Sequence, residues 1–310
     1  MLDWKPEVVE SQIGINFKDY YVLFAALSDI SYAKQIEDVT ASNERLAFLG
    51  EDVLKFTIAD YIYQSCPYLQ VSNYQGLMVK LTERERLTKT WFQLGLGESY
   101  PFLVNTEERA ILRKKKNNPF EKAFLALVGA IHDDRGFSQA RNWLVKYLIM
   151  PLLQKYLKDT PERAEPELQI KFLGNTLLSS LATDYIYHLL PGVEVKRLSQ
   201  FQRKLISKTE VKQYKDHSIQ LGNDQAVGFK QFLGEQYLIA NEQNNRTAFR
   251  VMRDWWVKEF LEEEEILKGA LSQLLKDGMP QKWIIRTVLG YSSKDYDAGR
   301  DRFHELMDEG

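Results

Sequence analysis

Four acids in this chain are of the type that could hold a divalent cation. Glu44, Glu51 and Asp52 fall on one stretch, Asn43-Glu44-Arg45-Leu46-Ala47-Phe48-Leu49-Gly50-Glu51-Asp52-Val53-Leu54, and Glu121 falls on another, Phe120 to Ile131. Carboxylate oxygens are hard ligands of the kind that Mg²⁺ takes. Spacing restricts that option. Glu44 and Glu51 are seven apart and share a helix face, but each step along a helix turns the side chain by about 100°, so Asp52 and Glu121 point elsewhere. Lys122 adds an ammonium group beside Glu121. Exposed or cap-stabilising charge is the plainer reading of Glu44, Glu51 and Glu121. His132, His188, His217 and His304 show no metal-ligand spacing, and the single cysteine, Cys66, excludes an intrachain disulfide and a cysteine-rich zinc site. No metal and no cofactor is expected.

The elements that would position these acids are helical. Leu46, Leu49 and Val53, with Leu54 beside them, make an apolar stripe, with Ser42 or Asn43 as N-cap and a stop at Pro67. Two helices are expected within 7–35, broken around Gly14 to Asp19. A further helix is expected from about Gln75 to Leu94, closed by Gly95 and Gly97, and another from Ser138 to Lys158. Residues 159–166, with two prolines and four charges, read as a linker. The chain has 310 residues, 44% hydrophobic and 27% charged, so it can hold two globular domains. Its net charge of −2 means that any nucleic-acid surface must be a local patch. No apolar run reaches membrane-spanning length, and Met1 to Lys5 does not start a signal or transit peptide, so a reducing, cytoplasm-like compartment is expected.

The pattern then returns. Phe172-Leu173-Gly174 repeats Phe48-Leu49-Gly50, Asp184-Tyr185-Ile186-Tyr187 repeats Asp60-Tyr61-Ile62-Tyr63, and Pro191 repeats Pro67, all at an offset of 124 positions. Phe232-Leu233-Gly234 stands to Leu127-Val128-Gly129 at an offset of 105, and Trp255 falls where Trp143 stood.

The stretch Asn-Glu-Arg-Leu-Ala-Phe-Leu-Gly-Glu-Asp-Val-Leu resembles the signature helix of ribonuclease III, and Phe120 to Ile131 resembles that family's second catalytic helix. The resemblance implies an all-α fold: two tandem ribonuclease III-like domains forming an intramolecular pseudo-dimer, plus a C-terminal helical extension. The expected division is domain 1 over 1–158, a linker at 159–166, a truncated domain 2 over 167–261 and a helical module over 262–310. Phe48, Leu49 and Leu54 are expected to pack near Phe172, Leu173 and Leu178. By the same resemblance, the four metal-binding carboxylates correspond to Ala47, Glu51, Lys122 and Leu125 in the first half, and to Lys171, Asn175, Val227 and Lys230 in the second. One carboxylate of eight survives. The chain therefore resembles a degenerate, two-domain ribonuclease III of the kind found in plant chloroplast intron splicing and its cyanobacterial relatives. The expectation is no enzyme, with residence in the bacterial cytoplasm, or in the chloroplast stroma of a plastid-bearing organism.

Binding without cleavage would need a basic surface. Lys196, Arg197, Arg203, Lys204, Lys208, Lys212 and Lys215 crowd one helical stretch, and Arg113, Lys114, Lys115 and Lys116 form a run before Pro119. Such surfaces can follow the phosphates of structured or double-stranded RNA by shape; a solvated helix face and a solvated loop are the competing readings. Residues 262–310 have the outline of a helix-turn-helix, with Gln281, Lys282 and Arg286 able to reach nucleic acid, or of a hairpin packed on the second domain. The functional expectation is a non-catalytic RNA-binding protein assisting RNA processing, intron splicing or ribosome assembly. The alternatives are a scaffold holding a protein partner through the dimer face, and an active double-stranded RNA endonuclease.

Overall fold

A computed structural model describes residues 5–97, 119–156, 165–216 and 225–308. The fold is all-α. Helix α1 spans Pro6–Ile13, α2 Tyr20–Ala26, α3 Ile30–Gln35, α4 Glu44–Ser65, α5 Val71–Thr82, α6 Arg84–Gln93, α7 Pro119–Arg135, α8 Phe137–Leu144 and α9 Met150–Tyr156. The chain continues with α10 Pro166–Leu189, α11 Val195–Asp216, α12 Gln225–Asn244, α13 Ala248–Phe260, α14 Glu263–Lys276, α15 Gln281–Trp283 and α16 Tyr296–Asp308.

Local chemistry sets the entry. Pro6 sits in the first turn of α1, where its missing N–H costs nothing, and Gly14 closes that helix at φ 69°. The carboxylates of Asp19 and Asp29 cap α2 and α3, each accepting the backbone N–H two residues on. The entry segment thus holds three helices where two were expected. The helix expected from Gln75 to Leu94 is also two, because Glu83 takes an extended backbone (φ −61°, ψ 132°) and ends α5 before α6 starts. The helix expected from Ser138 to Lys158 is interrupted by a π-helical turn at Val145–Ile149. Pro151 lies just beyond that turn, and its missing N–H removes one rung of the ordinary ladder. Pro166, assigned to the linker from sequence, is instead the first residue of α10.

Two helix crossings form the centre. Where α4 meets α7, a Cβ on Gly50 would overlap the carbonyl oxygen of Leu125, and one on Gly129 would overlap that of Leu46. Where α10 meets α12, Gly174 stands in the same way against Lys230 and Gly234 against Ile170. The offsets in the second crossing are those of the sequence repeat, 124 on the first helix and 105 on the second. Backbone touches backbone in both, which no residue but glycine permits.

The two helix pairs then join through α4 and α10. Leu49, Leu54, Leu173 and Leu178 are at most 1% exposed, while Phe48 and Phe172 pack against the core from its edge. The Phe172 ring meets that of Tyr74 edge-on at 5.9 Å. Arg45 donates to the carbonyls of Tyr187, Leu190 and Val193 at the end of α10 (2.7, 3.0 and 2.6 Å). Its counterpart Gln169, 124 positions on, donates to the carbonyls of Pro67 and Leu69 beyond the end of α4. Phe137 and its counterpart Phe249 stack on each other, ring centres 4.6 Å apart. The C-terminal helices pack on this body: Arg197 of α11 pairs with Asp277 at 2.8 Å, and Ile284 and Ile285 are fully buried.

The glycines make opposite forecasts. Gly50→Ala drives a methyl into backbone and should cost about 3 kcal/mol or more. Gly76, on the exposed face of α5 with open space around it, should gain about 0.5–1 kcal/mol as Ala. Chemical denaturation of the two variants checks both signs.

Candidate functional site

The acids that sequence singled out lie on α4 and α7, and each has a partner of its own. Glu44 pairs with Lys122 at 3.1 Å, Glu121 with the Arg84 Nε at 2.6 Å, and Glu51 with Lys55 at 2.6 Å. Asp52 faces the other half, accepting from the Thr183 hydroxyl and from Gln202 Nε2 (2.7 Å). Burial pushes its carboxyl above the usual range, the Thr183 hydrogen bond and Lys55 pulling the other way. Ala47 is buried at 8% exposure, and Leu125 packs against the core. In the second crossing Lys171 and Lys230 are half-buried and Asn175 is exposed; the side chain of Val227 lies outside the described residues. Mg²⁺ requires several hard oxygen donors around one point. Among the described residues no three of His, Cys, Asp or Glu come together in that way, so this donor set does not fit the ion.

Of the basic residues read from sequence, Lys196, Arg203 and Lys204 are exposed on α11. Arg197 is not part of that free face, because it pairs with Glu194 and Asp277, both at 2.8 Å. The side chains of Lys208, Lys212 and Lys215, and the whole run Arg113, Lys114, Lys115 and Lys116, lie outside the described residues. Lys282 and Arg286 are exposed in the C-terminal module.

Sequence reasoning missed a buried polar centre between the halves. Asp184, 1% exposed, meets His132 Nε2 at 2.8 Å and Arg253 Nη1 at 3.1 Å. His188 bonds the Asp184 carbonyl at 2.7 Å and the Asp133 carboxylate at 3.0 Å. Burial alone would raise the Asp184 carboxyl, but His132, His188 and Arg253 outweigh it and hold the group at about 2. Burial would lower His188, and the two aspartates outweigh it, leaving the imidazole above its ordinary value. Asp60 is the counterpart: it accepts from Arg141 Nε (2.5 Å) and from Tyr237 of the other half (3.1 Å). The available signal was the Asp at the head of both Asp-Tyr-Ile-Tyr repeats, a charge kept in an otherwise apolar stretch.

With this geometry in view, the comparisons are specific. A family profile described as Ribonuclease-III-like matches residues 19–152. Ribonuclease 3 of Treponema denticola is 30% identical over 174 residues, covering 54% of this chain and 70% of that protein. Ribonuclease 3 of Francisella tularensis subsp. novicida is 31% identical, covering 53% and 68%. That of Borreliella burgdorferi is 32% identical, covering 43% of this chain, which spans only 54% of the relative's length. The nuclease domain of ribonuclease III from Campylobacter jejuni aligns with 47% of this chain and 97% of its own, at 27% identity and a TM-score of 0.42. The chain belongs to the ribonuclease III family. These matches are to bacterial ribonuclease 3 proteins rather than to a two-domain inactive form. They correct the expectation that this chain is not an enzyme, since the proteins it matches are ribonucleases by name. That expectation weighed acids at eight motif positions, whereas the match extends over whole helices.

Among the described residues no helix is long and apolar enough to cross a membrane.

The polar centre has a defined pH signature. Asp184, held below its unfolded value, stabilises the fold above about pH 4 and loses that contribution as pH falls towards 2. His188, held above its unfolded value, contributes fully below about pH 6.5 and loses this as pH rises through its folded value. Melting temperature should therefore decline at alkaline pH in a way that His188→Gln flattens. Asp184→Asn, which removes the buried carboxylate that His132 and Arg253 share, should cost about 3 kcal/mol at pH 7.

Proposed function

We propose that this chain binds and processes double-stranded RNA, with its two helix pairs packed as an internal pseudo-twofold counterpart of a two-subunit ribonuclease III. Membership of the family carries the reading. Support for the internal pairing comes from the reciprocal links: Arg45 and Gln169 at opposite helix ends, Asp60 and Asp184 each reaching across, and Phe137 on Phe249. One polypeptide holding both halves raises their effective concentration without a second subunit.

RNA would approach the α4/α7 crossing and the exposed face of α11. Lys196 and Arg203, seven apart, share that face with Lys204 nearby, and sequence continues it through Lys208, Lys212 and Lys215. The Glu44–Lys122 pair is exposed, with both side chains more than 40% accessible. Exposed pairs of this kind hold by only about 0–1 kcal/mol. An RNA phosphate can therefore compete for Lys122, freeing the Glu44 carboxylate that it now covers.

Purified protein is expected to retard a duplex RNA in a gel, to lose about tenfold or more in affinity between low and moderate salt, and to shorten the strands on incubation. Intact strands under conditions of full binding would contradict the processing half, and no retardation would contradict both. Exchanging Arg203, Lys204, Lys208 and Lys212 together for Glu should abolish retardation; unchanged affinity would remove α11 from the interface.

A further inference from the structure

A second charged site lies away from the α4/α7 crossing. A cavity of about 300 Å³ opens between the end of α7, the start of α8, α10 and the start of α13. Four arginines line it, Arg135, Arg246, Arg250 and Arg253, against two aspartates, Asp133 and Asp184. Both aspartates are already engaged: Asp184 by His132 and Arg253, Asp133 by His188 at 3.0 Å. Among the described residues no acid pairs with Arg135, Arg246 or Arg250, so positive charge faces the cavity uncompensated.

Two further observations point to a polar ligand there. His132 lines the cavity at 6% exposure, and its Nδ1 is buried with no hydrogen-bond partner among the described residues. The starts of α8 and α13 both border the cavity, and neither has a side-chain cap. Their first N–H groups are thus open to a ligand, with the positive ends of two helix dipoles behind them.

The repeat supplies an internal comparison. Arg141 takes the place of Arg253 on Asp60, so that arginine belongs to the fold. Yet the counterparts of His132, His188 and Arg250 are Tyr237, Gln64 and Ser138. The same helix packing is built on the other side without these basic groups, so packing does not require them.

We propose that this cavity binds a phosphomonoester, whether carried by a free nucleotide or by the 5′ end of an RNA strand. A terminal phosphate carries about two charges and three acceptor oxygens, which matches a cluster of arginine forks. A cavity of about 300 Å³ admits a terminal phosphate but not the side of a duplex. A neighbouring cavity of about 760 Å³ shares Asp184, His188 and Arg253 and is lined by Tyr185, Leu267 and Leu289. It gives the sugar and base somewhere to lie. The site is independent of the duplex-RNA reading, because a free nucleotide would fill it equally.

Calorimetric titration of the full chain tests this with two pairs of probes: adenosine 5′-monophosphate against adenosine, and a short single-stranded RNA with a 5′-phosphate against the same strand with a 5′-hydroxyl. At least one phosphorylated probe should bind about tenfold or more tightly than its partner. Preference in the first pair identifies a nucleotide site, and preference confined to the second identifies an RNA end. The exposed double variant R246Q/R250Q should lose the preference while its circular dichroism melt is unchanged, and Arg135→Gln gives an independent reading from another wall. Equal binding within both pairs, or a preference that survives these substitutions, overturns the proposal.

Discussion

Contact of helix backbone with helix backbone is the constraint from which the rest of this molecule follows. At Gly50–Leu125 and Gly129–Leu46, and again at Gly174–Lys230 and Gly234–Ile170, no side chain separates the helices. Such closeness brings many weak dispersion contacts into range at once. It also fixes the register of each pair, because only one alignment places glycine opposite a carbonyl on both helices. The positions of Glu44, Lys122, Lys171 and Lys230 are consequences of that register.

Register within each pair then determines what meets across the join. Asp60 and Asp184 are buried charges, which cost stability unless fully paired. Each obtains an arginine from its own half and a polar ring from the other, Tyr237 for Asp60 and His132 for Asp184. A half standing alone would leave its aspartate short of one partner. The second half, which lacks the entry helices α1 to α3, buries part of its apolar face through this join. The halves are alike in frame and different in surface, so the basic groups that distinguish them are free to carry function.

Much of that frame was legible in sequence. The Phe-Leu-Gly repeat marked the crossing glycines, and the constant offset of 124 marked two copies of one helix. Other features were hidden for physical reasons. Glu83 splits a helix with neither Pro nor Gly to announce it. The extra turn at Val145–Ile149 depends on how the chain absorbs Pro151. The acids of the α4/α7 crossing could be named, but Arg84 reaches Glu121 only once α6 folds beside α7. His132 is far in sequence from Asp184, His188 and Arg253 and reaches that group only across the join, which is why histidine spacing revealed nothing. Counting acids at motif positions also led towards a non-enzyme, a conclusion that the ribonuclease relatives overturn.

Native-state hydrogen exchange tests most directly whether the two helix pairs form one cooperative core. Amides of α4, α7, α10 and α12 should exchange only through a common opening, with the same free energy and the same denaturant dependence. Exchange of α10 and α12 through a separate, markedly cheaper opening that leaves α4 and α7 protected would contradict the account.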